Sequence, residues 1–478
     1  MVSQKRSSGQ SCLPSPKSTN SFWHREPSEF LTGHHTTPSL PTSADIIIIG
    51  SGIAGASAAY HLSKHHDGTK PNIVMLDARE ACWGATGRNG GHCRPGLYTS
   101  PPDVAAFELR NYTAIKSLIE DNSIACEWKT LPGCHAYMSA AMFAIAVSAV
   151  NTLQESAPDL ASTVKVITAS SQNPSLTDLR VPHAAGAIVL KHSASLWPYK
   201  LVAWALEKLI KEGRLNLQTK TPATILQKVD DGWIVHTSPC GMIAAPTVLL
   251  CTNAYTSALL PWFEDLIVPV KGEMSALKPP AAMRPASDVH ASLDHSYVFR
   301  GHGRSTIEQD DYLVQRPFGA FPTQMDGSGG ELMFGGGRNV APSAGVGISD
   351  DSSIDPPAAE YLRRELNVVL DLQNDDQELE ASYEWSGIMG FSRDGNPWIG
   401  EAVEPGTKNT GLWVCAGFTG HGMPNTWLSG AAAADLILGR PASEVDLPGS
   451  YLMSEERVVE ARKLDEVWLA DSKALRDA

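Results

Sequence analysis

The feature that most constrains this chain is the run Asp45-Ile46-Ile47-Ile48-Ile49-Gly50-Ser51-Gly52-Ile53-Ala54-Gly55. Four isoleucines after a polar residue predict a strand buried on both faces, the habit of a parallel sheet flanked by helices. Ala56-Ser57-Ala58-Ala59-Tyr60-His61-Leu62 then supplies small residues where a helix must lie close to that strand. Gly50 permits the tight turn, Gly52 leaves no side chain where a pyrophosphate must approach, and Gly55 lets the helix pack with its positive end aimed at phosphate. Ile53 and Ala54 belong to the same turn. Ile73-Val74-Met75-Leu76 forms the next apolar strand and ends in Asp77, where a carboxylate can accept both ribose hydroxyls of an adenosine; Ala78 and Arg79 continue that edge. A G-x-G-x-x-G run arises by chance in a chain with 40 glycines. The succession of strand, turn, helix and acid is what sets this one apart from a ligand-free βαβ unit.

Composition narrows the class further. With 478 residues, 42% of them hydrophobic, the chain can bury two full cores. A formal charge of −14 repels phosphate backbones and anionic lipid, so neither nucleic acid nor a membrane is an expected partner. The longest apolar stretch, Ala140 to Val150, has the length of a buried helix and falls short of a span. None of the eight cysteines is paired at zinc or redox-motif spacing, so no metal is expected and they read as free thiols in a reducing compartment. The expected location is cytoplasmic, with peroxisome and mitochondrion left open. Residues 1–43 carry Lys5, Arg6, Lys17 and Arg25 but no apolar signal core, and five prolines spoil an amphipathic helix. They read as an extension, disordered or wrapped on the surface and held by Phe22 and Trp23.

A second glycine-rich loop, Cys82-Trp83-Gly84-Ala85-Thr86-Gly87-Arg88-Asn89-Gly90-Gly91-His92, follows Asp77 closely. A nicotinamide enzyme has no need of it there. At this point the sequence resembles the D-amino acid oxidase, glycine oxidase and sarcosine oxidase superfamily of FAD-dependent amine oxidoreductases, and is most similar to its gamma-glutamylputrescine oxidoreductase-like branch. The resemblance runs from about Asp45 to Arg440. It implies FAD, with Ala85, Thr86, Arg88, Asn89, Gly90 and Gly91 in the loop over the flavin and Arg88 available to the pyrophosphate. Ala223 stands where the family usually has a valine beside adenine, and Thr252 and Asn253 sit in a Cys251-Thr252-Asn253-Ala254-Tyr255 turn like the family's A-T-N-A-Y. Leu412 to Ala416 leads into Gly417-Phe418-Thr419-Gly420-His421-Gly422-Met423, a turn that in the family lies against the pyrimidine edge of the flavin and stabilises negative charge there. For His421 a chemical role and a plain turn residue are equally open.

Departures from the family pattern bear on substrate. In the amino-acid branches a W-x-G-x-R strand clamps the substrate carboxylate; here Trp385-Ser386-Gly387-Ile388-Met389 ends in a methionine that cannot pair with one. This favours an amine without an adjacent carboxylate, although Arg393 and Arg338 lie nearby. No cysteine falls between Cys251 and Cys415, so FAD is expected without the covalent link of the sarcosine oxidase branch; His92 and Cys93 are the remaining candidates for a tether. Lys271, Glu384, Arg393 and His421 are the candidate polar groups facing substrate, and Tyr297, Phe299, Tyr312 and Phe318 either wall the pocket or fill the core.

The expected fold is α/β: a Rossmann-type FAD-binding domain over 44–100, 186–260 and 385–440, with a discontinuous α+β substrate domain over 101–185 and 261–384 built on a mixed, largely antiparallel sheet. A helical tail occupies 441–478, with a charged helix from Glu455 to Leu475. The activity the resemblance implies is oxidation of a C–N bond by hydride transfer to flavin N5, giving an imine that hydrolyses; the electron acceptor is oxygen or another species. The alternatives are an amino-acid oxidase of D-amino acid, glycine or sarcosine type, a tailoring oxidase of a larger nitrogenous metabolite, and a non-catalytic flavin-binding redox sensor.

Overall fold

A computed structural model describes residues 9–64, 70–283, 292–301, 311–318, 329–373, 378–407 and 410–464. Its cofactor half is a six-stranded sheet in the order 398–401, 412–416, 247–250, 46–49, 73–76, 216–218. The Ile46–Ile49 strand is buried throughout and pairs in parallel on both sides, Ile46 with Thr247 and with Ile73. The chain leaves this strand through helix α1 (Ile53–Lys64), returns at 73–76 on one side, and later adds 247–250 on the other. That reversal opens a crevice at the carboxyl ends of the strands, the place where open α/β sheets bind ligands. The Thr426–Ile437 helix crosses α1 closely: a Cβ on Gly430 would stand 2.6 Å from the carbonyl oxygen of Ala54.

The second half is a nine-stranded mixed sheet running 381–392, 267–277, 332–336, 311–315, 296–300, 129–137, 186–195, 92–93, with 164–167 also paired to 186–195. This moves three expected boundaries. His92–Cys93, Gly186–Ser195 and Ala381–Ser392 belong to this sheet, not to the cofactor half. The reason is continuity: the 381–392 strand pairs with 267–277 along its whole length, from Ser392 against Ile267 to Ala381 against Leu277, so a cut at 385 would sever one ladder. Helices α2 (Pro102–Asp121) and α3 (Ala140–Ser156) lie on the side facing the cofactor half. Ser139 caps α3 by accepting the Met142 N–H.

Residues 9–43 are woven into the body. Phe22 and Trp23 are buried, the Trp23 carbonyl accepts from the Trp197 indole at 2.8 Å, and His24 stacks on Trp83 at 3.7 Å. At the other end, Glu455–Arg462 is a helix, while 465–475 of the expected tail helix lies outside the described residues. Among the described residues no helix is long and apolar enough to cross a membrane.

Candidate active site

A cavity of about 770 Å³ runs between the two halves, from the glycine turn to the nine-stranded sheet. At the turn, Gly50 adopts φ +108°, and a Cβ there would stand 2.6 Å from the Cys251 carbonyl oxygen. At Gly55 a Cβ would run into the Gly50 carbonyl, which explains why this glycine shapes the turn without reaching the cavity. A Cβ on Gly52 would come close only to Thr86 Oγ1, 3.1 Å away, and its open side faces the cavity. Asp77 stands at the end of its strand, accepting the Ser51 N–H at 2.9 Å and the Arg79 N–H at 2.9 Å. Burial raises its carboxyl above the usual range despite those bonds.

Ile53, Ala54, Ala78, Arg79, Ala85, Thr86, Asn89, Gly90, Ala223, Thr252 and Asn253 line the same cavity, as does the turn Gly420-His421-Gly422-Met423. Gly91 and Gly417 stand behind its wall. Gly91, at φ +71°, packs against Trp23, and Gly417, at φ +82°, donates its N–H to Asn253 Oδ1 at 3.0 Å. The Asn253 side chain thus holds the 417–423 turn in place.

Four expected roles change. Arg88 touches the cavity, but its guanidinium is engaged by protein acceptors: the carbonyls of Trp83 (3.0 Å), Ser386 (2.8 Å) and Thr19 (2.7 Å), the Ser18 hydroxyl, and the Asp351 carboxylate at 3.4 Å. It is a rivet between the loop, the second sheet and the N-terminal segment rather than a phosphate ligand, and burial pulls it down to about 10. Arg393 donates to the carbonyls of Leu464 and Asp265, away from the cavity. Lys271 donates to the Ser353 carbonyl at 2.6 Å on the opposite face of its sheet, and Glu384 is bound to Arg363 at 2.5 Å. Of the four aromatic residues, Tyr312 lines the cavity, whereas Tyr297 and Phe299 pack in the core behind the sheet and Phe318 bridges to Gly329.

At the far end Met389 lines the wall, with Gly420 facing its sulfur. His421 Nε2 lies 3.0 Å from Glu108 Oε2, and Glu108 also accepts from Asn425 (3.2 Å) and from the Gly96 N–H. Burial alone would raise the Glu108 carboxyl; the imidazole and the donated hydrogen bonds outweigh it and hold the group below its usual value. Arg94 donates to His135 Nε2 at 2.7 Å, and Tyr98 bridges the His135 ring and the Tyr137 hydroxyl. Burial, reinforced by Arg94, drives His92 and His135 well below the ordinary histidine value, so both are neutral. Burial drives the Cys93 thiol upward, which removes the thiolate that a tether would need.

Sequence reasoning did not find Glu108, Asp351, Arg94, Tyr98 or Arg300. Arg94 stands only two places after His92 and was open to notice; Glu108 and Asp351 carry no local signal.

The family model described as DAO, FAD dependent oxidoreductase, matches residues 45–436. The chain belongs to this family. The cofactor of this oxidoreductase is therefore FAD, and the glycine cradle, the open side of Gly52 and the half-buried Asp77 fit it. Among solved structures, the fold of this DAO-family chain is similar to glycine oxidase from Geobacillus kaustophilus, at TM-score 0.66 and 18% identity over 87% of this chain and 99% of that one. L-Proline dehydrogenase from P. horikoshii superposes at 0.63 with 18% identity, covering 84% and 96%. L-alpha-Glycerophosphate oxidase from Mycoplasma pneumoniae, with FAD bound, superposes at 0.60 with 13% identity, covering 83% and 95%. A comparison with curated proteins returns no match.

Proposed function

We propose that this FAD-dependent oxidoreductase oxidises the C–N bond of a small amine. The observation that carries the reading is the continuity of one cavity, from the glycine cradle and Asp77 to a chamber walled by Met389, Tyr312 and His421. FAD supplies the hydride acceptor. Asp77, Gly52 and the start of α1 hold the adenosine and pyrophosphate portions, and Asn253 braces the 417–423 turn. His421, backed by Glu108, presents its imidazole to the chamber beside the backbone N–H groups of the 417–423 turn. Neutral His92, with Tyr98 and Tyr137, lines the chamber and favours binding of an uncharged amine over an ammonium ion.

Met389 in the clamp position supports a substrate without an α-carboxylate, and with the motif of residues 82–92 it supports the gamma-glutamylputrescine oxidoreductase-like branch. A second reading, an amino-acid substrate, draws on Arg94 and Arg300, which line the same cavity from other strands and loops. The likenesses to glycine oxidase and L-proline dehydrogenase, named for amino acids, favour the second reading, and the glycerophosphate oxidase likeness shows that the fold also serves a substrate without nitrogen.

The test is anaerobic addition of putrescine, gamma-glutamylputrescine, sarcosine and D-amino acids to the FAD-loaded protein, following the oxidised-flavin band near ~450 nm. Bleaching by amines without a carboxylate is the expected result. Bleaching by amino acids alone would assign the clamp to one of the cavity arginines Arg94, Arg300 and Arg338, and a flavin inert to every amine would overturn the reading.

A further inference from the structure

Helix α3 turns an unusual face to the cavity. Met142, Ile145, Ala146 and Ala149 line it at the spacing i, i+3, i+4, i+7, so a single stripe of the helix, apolar at every position, faces the space over the sheet. Val298, on the strand opposite, lines the same space. Two residues further along that strand, and so on the same face, Arg300 lines it as well. The helix is fixed where it stands, since Val150 and Leu153 are buried against the sheet and the Tyr137 and Phe143 rings meet at 6.0 Å. Met142 and Ile145 are only half-buried, so apolar area remains on the helix for a ligand to cover.

We propose that this stripe is a substrate subsite that takes an alkyl or aryl limb, so that the preferred substrates are amphiphilic: a reacting polar head near Met389 and His421, and an apolar limb laid along α3. The inference rests on the amine reading only for the identity of the head. An apolar limb covering Met142, Ile145 and Ala149 gains burial with each carbon added, and a short diamine leaves the stripe wet.

The test uses the FAD-loaded full chain and the homologous n-alkylamines from propylamine to octylamine, with the matching n-alkanols as a second series. Dissociation constants are read from the perturbation of the flavin spectrum and by calorimetry. The expected result is tightening of about four-fold per methylene, the value of one buried CH₂ converted to affinity, until the stripe is covered. Ala149→Phe should end the series at a shorter chain, and Ile145→Ser should flatten it. Ala144→Ser, on the exposed side of the helix, should leave it unchanged. Should one of the cavity-facing variants fail to retain FAD, the other and the wild-type slope still decide. The same slope in the alkanols, with no flavin reduction by any amine, would keep the subsite and remove the amine reading. Affinity independent of chain length in both series, or a series that Ala149→Phe does not shorten, would overturn the subsite.

Discussion

The two halves that enclose the cavity are built on opposite plans. In the cofactor half, most of the lining comes from two short stretches, 50–54 and 77–90, that one βαβ unit brings together: Gly55 against Gly50, Thr86 against Ile53, Asp77 against Ser51 and Arg79. In the substrate half, one wall combines Tyr98, Tyr137, helix α3, Val298 and Met389, which lie far apart in the chain, with His421 facing them from the cofactor half. A site made of local turns tolerates change elsewhere, whereas a site assembled from distant strands depends on every ladder that positions it. The comparison teaches that affinity for the cofactor and choice of substrate are separately adjustable, except where a residue joins the halves.

Arg88 is such a residue, and it offers the most severe way to break the separation. Arg88→Met would remove five acceptors' partner at once and leave the buried Asp351 carboxylate with Arg79 alone. Breaking a buried ion pair from one side costs about 3–5 kcal/mol, so chemical denaturation should show a loss of that size together with weaker FAD retention. A variant that lost FAD at full stability would show that Arg88 serves the cofactor alone.

Asp77→Asn tests the cofactor half by itself. Replacing a charged acceptor by a neutral one should weaken FAD about ten- to a hundred-fold, measured by equilibrium dialysis, with the substrate ranking of the remaining holoenzyme unchanged. A changed ranking would join the halves more tightly than the geometry implies. Met389→Arg probes the other side: restoring a cation at the clamp position should raise the rate of flavin reduction by amino acids relative to amines about tenfold, with FAD affinity intact. If the ratio stays put in stopped-flow traces, the head of the substrate does not reach this strand.

The effect smallest at neutral pH belongs to His24, which stacks on Trp83 of the 82–92 loop. Burial, with Arg88 and Arg79 adding to it, lowers this imidazole from 6.5 to about 3. The native state therefore binds fewer protons than the unfolded chain between those values. Its contribution is fully present above pH 6.5 and is lost as pH falls through the window, by up to about 1.4 kcal/mol per pH unit. His24→Asn should flatten part of the decline between pH 6.5 and 5 in urea titrations. An unchanged slope would assign the acid sensitivity to the buried His92 and His135.

Much of the cofactor half was legible beforehand because its physics is short-range. The Ile46–Ile49 strand, the glycine turn, α1 and Asp77 each follow from residues within a few places of one another, and the structure sets them where that spacing implies. Arg88 was misread for an equally physical reason. An arginine in a phosphate-side loop looks like a phosphate ligand until the acceptors that claim it are known, and those acceptors, Thr19, Ser386 and Asp351, lie far away in sequence. Arg393 and Lys271 failed in the same way, taken up by the Leu464 and Ser353 carbonyls.

The sequence by itself determined that the chain contains a strand–turn–helix cradle for a dinucleotide and a second glycine loop. These are properties of neighbouring residues and of backbone freedom at glycine. Only the tertiary structure decided which charged groups face the cavity and which are rivets, that Glu108 backs His421, and that α3 lays an apolar stripe along the substrate space. A side chain's partners depend on which strands lie side by side, and a buried charge is used up by whichever opposite group the fold brings within reach.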